Sequence, residues 1–143
     1  MKKILILHGP NLNLLGTRNP EVYGADSLED INQRLLDYAE THDCQVKFKQ
    51  SNHEGELIDA LHEAAGWADG VVFNPGAYSH TSIALRDAVE AIPIPVVEVH
   101  LSNISAREGF RTHSYLAPVC QGSITGLGWR SYLLGLQALT AED

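Results

Sequence analysis

The sequence predicts an α/β protein: a five-stranded parallel sheet with helices on both faces. Three observations carry this. Short apolar runs alternate with longer segments of helical period, the connections are short, and unusual polar residues fall just after the apolar runs.

The first strand is Ile4 to Leu7, an apolar run of the kind buried on both faces of a parallel sheet. It leads into a Gly/Pro/Asn loop ending in Arg18, Tyr23 and Gly24. A connector built only for chain reversal would be shorter and would not carry apolar Leu12, Leu14 and Leu15. After Asp26, with Ser27 as N-cap, Leu28, Ile31, Leu35 and Tyr38 share one helical face. Gln45 to Gln50 alternates Val46 and Phe48 with Lys47 and Lys49, the pattern of a half-exposed edge strand. The turn Ser51 to Gly55 opens a second helix carrying Leu57, Ile58, Leu61, Ala65 and Trp67. Gly70 to Phe73 is the third strand, ending at Asn74-Pro75-Gly76, and a third helix follows Ser79 with Ile83, Leu85, Ala88 and Val89. Ile94 to Val99 is the fourth strand, Ala117 to Ile124 the fifth, and Leu127 to Leu139 the closing helix. The layout is a flavodoxin-like three-layer sandwich. No linker, internal repeat or low-complexity stretch interrupts it, so residues 1–143 are read as a single catalytic domain.

Composition narrows the partners. A net charge of -8 argues against nucleic acid and anionic membrane surfaces. No stretch approaches the roughly 20 apolar residues that span a bilayer, and Lys2-Lys3 precede too short an apolar run for a secretory signal. Cys44 and Cys120 have no CxxC spacing and read as isolated reduced thiols, which makes the expected localisation cytoplasmic.

The functional signal is where the polar residues fall. Asn11 follows strand one, His53 and Glu54 strand two, Asn74 strand three, and Glu98 and His100 end strand four. A parallel sheet gathers the carboxyl ends of its strands along one edge, so one concave polar site accounts for all of them. Arg18, five residues before Tyr23 on the same loop, is suited to hold a phenolate within reach of a substrate. Glu98 and His100 are two apart on a strand and point the same way, so the carboxylate can orient the imidazole.

Five blocks, Gly9-Pro-Asn-Leu-Asn-Leu-Leu-Gly16, Gln50-Ser-Asn-His-Glu-Gly55, Asn74-Pro-Gly-Ala-Tyr-Ser-His-Thr-Ser82, Glu98-Val-His-Leu-Ser-Asn-Ile104 and Arg107-Glu-Gly-Phe-Arg111, resemble the type II 3-dehydroquinate dehydratases, collinearly over nearly the whole chain. The resemblance implies dehydration of 3-dehydroquinate to 3-dehydroshikimate, in the shikimate pathway or in quinate breakdown. It also implies a homododecamer, a tetramer of trimers, with no metal or organic cofactor. It assigns the base to Tyr23, the acid to His100, and enolate stabilisation to Asn11, with an ordered water. Leu101 and Ser102 would hold the substrate carboxylate, with Asn74 nearby. Arg111 and His80 would meet the ring hydroxyls, Arg107 would order the lid, and Asp87 would reach a neighbouring subunit's site. Asn19, Ser105 and Thr112 depart from the family pattern at positions outside the acid–base set.

Each assignment has a plainer alternative. Tyr23 on a loop also suits a surface anchor, Asn11 after Pro10 a turn cap, His100 a strand-end histidine satisfied by backbone, and Asp87 beside Arg86 a solvated ion pair. The rival chemistries fit worse. An imine mechanism needs a desolvated lysine, and the only lysines are Lys2, Lys3, Lys47 and Lys49, at the amino end of strand one or on the edge strand. No HExxH, GxSxG or P-loop lysine is present. A phospho-receiver would carry acidic residues where Asn11 and Asn74 stand, and a flavin carrier would want a Ser/Thr/Gly loop after strand one.

Overall fold

The computed structural model describes residues 1–17 and 19–141. Five parallel strands, β1 (Lys2–His8), β2 (Cys44–Gln50), β3 (Gly70–Asn74), β4 (Val96–His100) and β5 (Gly122–Thr125), form one sheet in the order β2-β1-β3-β4-β5. The short helix α1 (Pro20–Tyr23) lies in the first loop. Helices α2 (Leu28–Thr41), α3 (Glu54–Ala64), α4 (Ile83–Ala91) and α5 (Arg130–Thr140) cover the sheet.

Strand alternation divides the core in two. Ile4, Ile6, Val46, Val72, Val97 and Val99 pack with Ile31, Leu35 and Ala39 of α2 and with Tyr132, Leu136 and Leu139 of α5. Leu5, Leu7, Val71, Phe73 and Val96 pack on the other face, against Leu57 and Leu61 of α3 and Leu85 and Val89 of α4. Burial on both faces explains why the central strands read as continuous apolar runs. The three layers are therefore those expected of the flavodoxin-like sandwich. Gly135 of α5 lets that helix settle on the sheet, because a Cβ there would stand 3.1 Å from Val99 Cγ1.

Local signals operate as read. Ser27 caps α2 in a capping box: its side chain accepts from the Asp30 N–H while the Asp30 carboxylate accepts from the Ser27 N–H. β2 is an edge strand with Lys47 and Lys49 exposed. Several boundaries differ from the sequence reading: β4 starts at Val96 rather than Ile94 and runs on to His100, and α3 ends at Ala64, short of Ala65 and Trp67. Ala117–Val119, with Pro118, closes a 3-10 turn, and β5 starts only at Gly122. Gly126 (φ 89°) and Gly128 (φ 61°) take left-handed conformations, so α5 begins at Arg130 rather than Leu127.

The chain order places the reversal between β1 and β3: β1 leads out to β2, and the chain then returns to β3 on its other side. Loops leaving neighbouring strands in opposite directions open a crevice at their carboxyl ends. Gly9 holds the two loops close, its N–H donating to the Asn74 carbonyl at 2.7 Å. A Cβ on Gly9 would stand 2.7 Å from the Pro75 backbone, so no other residue fits there without moving that backbone.

Candidate active site

A cavity of about 110 Å³ occupies this crevice. The β1 loop contributes Asn11, Leu12 and Tyr23; the β3 end contributes Asn74, Gly76 and His80. The β4 end and the segment after it contribute His100, Leu101, Ser102, Arg107 and Arg111. Nine of the residues singled out in the sequence thus surround one cavity: Asn11, Tyr23, Asn74, His80, His100, Leu101, Ser102, Arg107 and Arg111.

Asn11 sits in the left-handed region at φ 68°, a conformation asparagine tolerates better than most side chains. Its N–H donates to Asn52 Oδ1 at 2.9 Å, while Gln50 Nε2 donates to the Gly9 carbonyl at 3.1 Å and to the same Asn52 oxygen at 3.1 Å. Gln50, the last residue of β2, and Asn52 just after it therefore pin the loop. The Asn11 side chain makes no cap hydrogen bond to the Leu12–Leu14 turn that follows it, so the capping role is not what it performs. Tyr23 closes α1, half-buried, with the Arg107 guanidinium carbon 5.2 Å from its ring centroid.

His100 is buried and its Nε2 stands 2.6 Å from Glu98 Oε2. Glu98 does not line the cavity; it backs His100 from inside the sheet, as the two-residue spacing on a strand requires. His80 Nδ1 lies 2.8 Å from the His113 carbonyl, which only accepts, so Nδ1 carries the hydrogen. Burial lowers the His80 pKa from the usual imidazole value; the His113 carbonyl opposes this, and the nearby charges of His100 and Arg111 add to it. A neutral His80 thereby offers Nε2 as an acceptor. The His80 and His100 rings stack with centroids 6.2 Å apart. Arg111 Nε donates to Glu108 Oε2 at 2.9 Å, and this bond holds the Glu108 carboxyl below the usual carboxylate range.

Three residues stand elsewhere. His53 is exposed at the start of α3, and Glu54 accepts a hydrogen bond from Ser82 Oγ at the start of α4, so the gathering read after strand two does not enter the cavity. Asp87 is exposed on α4 and lines no part of the cavity. Among the described residues no salt bridge joins it to Arg86, whose Nη1 instead donates to the Tyr115 carbonyl at 3.0 Å. Arg18 lies outside the described residues.

One network was not anticipated. His8, the last residue of β1, is fully buried, with Nε2 2.8 Å from Asn32 Oδ1 and Nδ1 2.8 Å from the Tyr132 hydroxyl. The Asn32 oxygen only accepts, so in the neutral ring Nε2 carries the hydrogen and Nδ1 accepts from Tyr132. The Tyr132 oxygen is in turn hydrogen-bonded by the Asn74 side chain, while Asn74 Oδ1 accepts from the Gly76 N–H at 3.0 Å. Burial lowers the His8 pKa to about 4, against a smaller opposing effect of Asn32. The signal was present in the alternation of Ile4 and Ile6, which puts His8 on the face covered by α2 and α5.

No lysine reaches the cavity: Lys2, Lys3, Lys47 and Lys49 are all exposed on β1 and β2. Among the described residues no group of three or more His, Cys, Asp or Glu could hold a metal ion, and no helix is long and apolar enough to cross a membrane.

Comparison with known proteins agrees with this geometry. The class II dehydroquinase family model matches residues 2–140. The 3-dehydroquinate dehydratase of Bacillus licheniformis is 62% identical over 95% of this chain and 94% of its own length. That of Acaryochloris marina is 59% identical over 95% and 91%. The crystal structure of the type II dehydroquinase from Butyrivibrio crossotus superposes with a TM-score of 0.96 at 42% identity, covering 98% of each chain. With the family match running through all five strands and the whole cavity, the chain belongs to the class II dehydroquinases.

Proposed function

We propose that this chain is a single catalytic domain that dehydrates 3-dehydroquinate to 3-dehydroshikimate, with the cavity at the β1–β3 crevice as its active site. The observation that carries the reading is the Glu98–His100 pair, 2.6 Å apart and buried, opening onto the cavity that Tyr23 also lines. The relatives' activity supports it, since both carry the name 3-dehydroquinate dehydratase.

Losing water from a β-hydroxy ketone requires a base for the proton alpha to the carbonyl, donors for the enolate, and an acid for the hydroxyl that leaves. Tyr23 takes the proton as a phenolate. A phenol has a reference pKa near 10, so ionising it near neutrality costs about 3–4 kcal/mol at roughly 1.4 kcal/mol per unit. Arg18, on the same loop, is the cation assigned to offset this cost. Asn11, with an ordered water, donates to the enolate oxygen without bringing a charge of its own. His100 then gives a proton to the departing hydroxyl on the opposite face, making the elimination anti, while Glu98, 2.6 Å from its Nε2, fixes the ring's orientation. Leu101 and Ser102 hold the carboxylate with Asn74 nearby, His80 and Arg111 meet the ring hydroxyls, and Arg107 orders the lid.

The step needs neither metal nor organic cofactor. It belongs to the shikimate pathway or to quinate breakdown, in the cytoplasm. The assembly is a homododecamer, a tetramer of trimers, in which Asp87 of one subunit reaches a neighbour's cavity. No nucleic acid or membrane takes part.

The test is a direct ultraviolet assay with 3-dehydroquinate before and after borohydride treatment, because the conjugated enone product absorbs where the substrate does not. Activity that survives borohydride is expected, with no lysine at the cavity to form an imine. Absence of activity in the folded protein contradicts the reading.

A further inference from the structure

Glu98 is completely buried, and a buried carboxylate needs donors on its oxygens. Among the described residues His100 is its one ion-pair partner. The remaining donor comes from far along the chain: Ser114 Oγ lies 2.8 Å from both Oε1 and Oε2 of Glu98. The same oxygen accepts from the Leu116 N–H and the Ala117 N–H, each at 3.1 Å. A serine hydroxyl has two lone pairs and one proton. With both lone pairs taken by backbone donors, the proton is directed to Glu98. Ser114 is therefore a fixed donor rather than a free rotor.

We infer that Ser114 is a positioning residue for the acid. By donating to Glu98 it keeps the carboxylate an acceptor, so that Glu98 holds His100 through Nε2–H and leaves the rest of the imidazole for the cavity. This rests on the reading of His100 as the acid. Ser114 does not itself line the cavity, so its effect passes through Glu98 and not through a substrate contact.

The residues on either side of Ser114 reinforce this. The His113 carbonyl holds His80 Nδ1–H at 2.8 Å, and the Tyr115 N–H donates to the Ser79 carbonyl at 2.7 Å. One three-residue segment therefore braces both cavity histidines, His100 at the end of β4 through Glu98 and His80 in the 3-10 turn Gly76–His80 directly. His113, Ser114 and Tyr115 form a strap, of which Ser114 is the part directed at the acid.

The experiment compares the wild-type protein with Ser114→Ala and Ser114→Thr in steady-state turnover of 3-dehydroquinate. It also follows the downfield N–H proton resonance of the His100–Glu98 bond, identified by its loss in His100→Asn. Removing one hydrogen bond to a charged group is expected to lower kcat about tenfold or more while leaving KM within about twofold, because no substrate contact is lost. Ser114→Thr keeps the hydroxyl and restores most of kcat. The downfield resonance persists in wild type and in Ser114→Thr and moves upfield in Ser114→Ala. The proposal is overturned if Ser114→Ala keeps wild-type kcat with an unmoved resonance, or if the Ala and Thr variants fall equally. Should Ser114→Ala not fold, Ser114→Thr and Ser114→Val make the comparison: they match in shape and differ by the hydroxyl, and equal kcat and resonance in the two overturn the proposal. A wild-type protein without dehydratase activity would contradict the function instead, and the resonance alone would then decide the role of Ser114.

Discussion

Two parallel strands of this protein end in a buried histidine at the same edge of the sheet, and the two ends are built differently. At the end of β1, His8 lies between two neutral groups, Asn32 and Tyr132, on the face covered by α2 and α5. At the end of β4, His100 lies against the Glu98 carboxylate and opens onto the cavity. Position at a strand end is common to both. Partner charge and access to the crevice are what differ, and they give the imidazoles opposite uses. Burial without a charged partner keeps the His8 ring neutral near pH 7, where it acts as a structural link. At the end of β4 the Glu98 carboxylate holds the His100 ring at Nε2 and leaves the rest of it open to the cavity, where it can exchange a proton with a bound molecule.

The largest expected effect tests whether the β4 end works with a base across the cavity. Tyr23→Phe removes only the proton acceptor, so turnover should fall by about 10³-fold or more while a substrate analogue still binds, read by titration of the analogue. Comparable turnover would take Tyr23 out of the mechanism.

The β1 end is sharpened by pH. The His8 pKa is about 4 when folded, against an ordinary 6.5. Between those values the unfolded chain binds a proton that the folded chain refuses, so stability rises with pH across the window. The contribution is complete above about 6.5 and is lost as pH falls toward about 4, amounting to about 3 kcal/mol at roughly 1.4 kcal/mol per pH unit. Urea unfolding at pH 7 and near pH 4.5 should show this loss in the wild type and much less of it in His8→Asn. Equal acid sensitivity in both proteins would mean that His8 is not held neutral.

A smaller effect separates link from catalyst. Tyr132→Phe leaves His8 Nδ1 and the Asn74 side chain each without one partner. It should cost about 1–3 kcal/mol in urea unfolding at pH 7, with turnover reduced only a few-fold through Asn74. A large loss of kcat at unchanged stability would give this network a direct part in the chemistry.

The contrast between the two ends also marks what the sequence could convey. Asn11, Asn74 and His100 are legible because each ends or follows an apolar strand, and a parallel sheet brings those ends together whatever the details of packing. His80, Leu101, Ser102, Arg107 and Arg111 enter only through the resemblance of their blocks to the family. Glu98 and His100 were legible as a pair from period two alone. His8 is masked in the sequence because the apolar run stops at Leu7, although alternation from Ile4 and Ile6 points it at α2 and α5. Ser114 carries no local signal: it lies in irregular chain between two 3-10 turns, and its meaning comes from a contact sixteen residues away in sequence. His53 and Glu54 were drawn in by nearness to a strand end, but β2 is the edge strand, and Glu54 there turns toward Ser82 of α4. Asp87, which the resemblance assigns to a neighbouring subunit's site, is exposed on α4 and lines no part of the cavity of its own chain.

The most direct test of the contrast is the turnover of 3-dehydroquinate by His100→Asn and His8→Asn, measured side by side at pH 7 on protein that has retained its fold. Loss of the general acid should reduce kcat by about 10²–10⁴-fold in His100→Asn, whereas His8→Asn should stay within about tenfold of wild type. Equal losses in the two variants, or a greater loss in His8→Asn, would contradict the assignment of the acid to the end of β4.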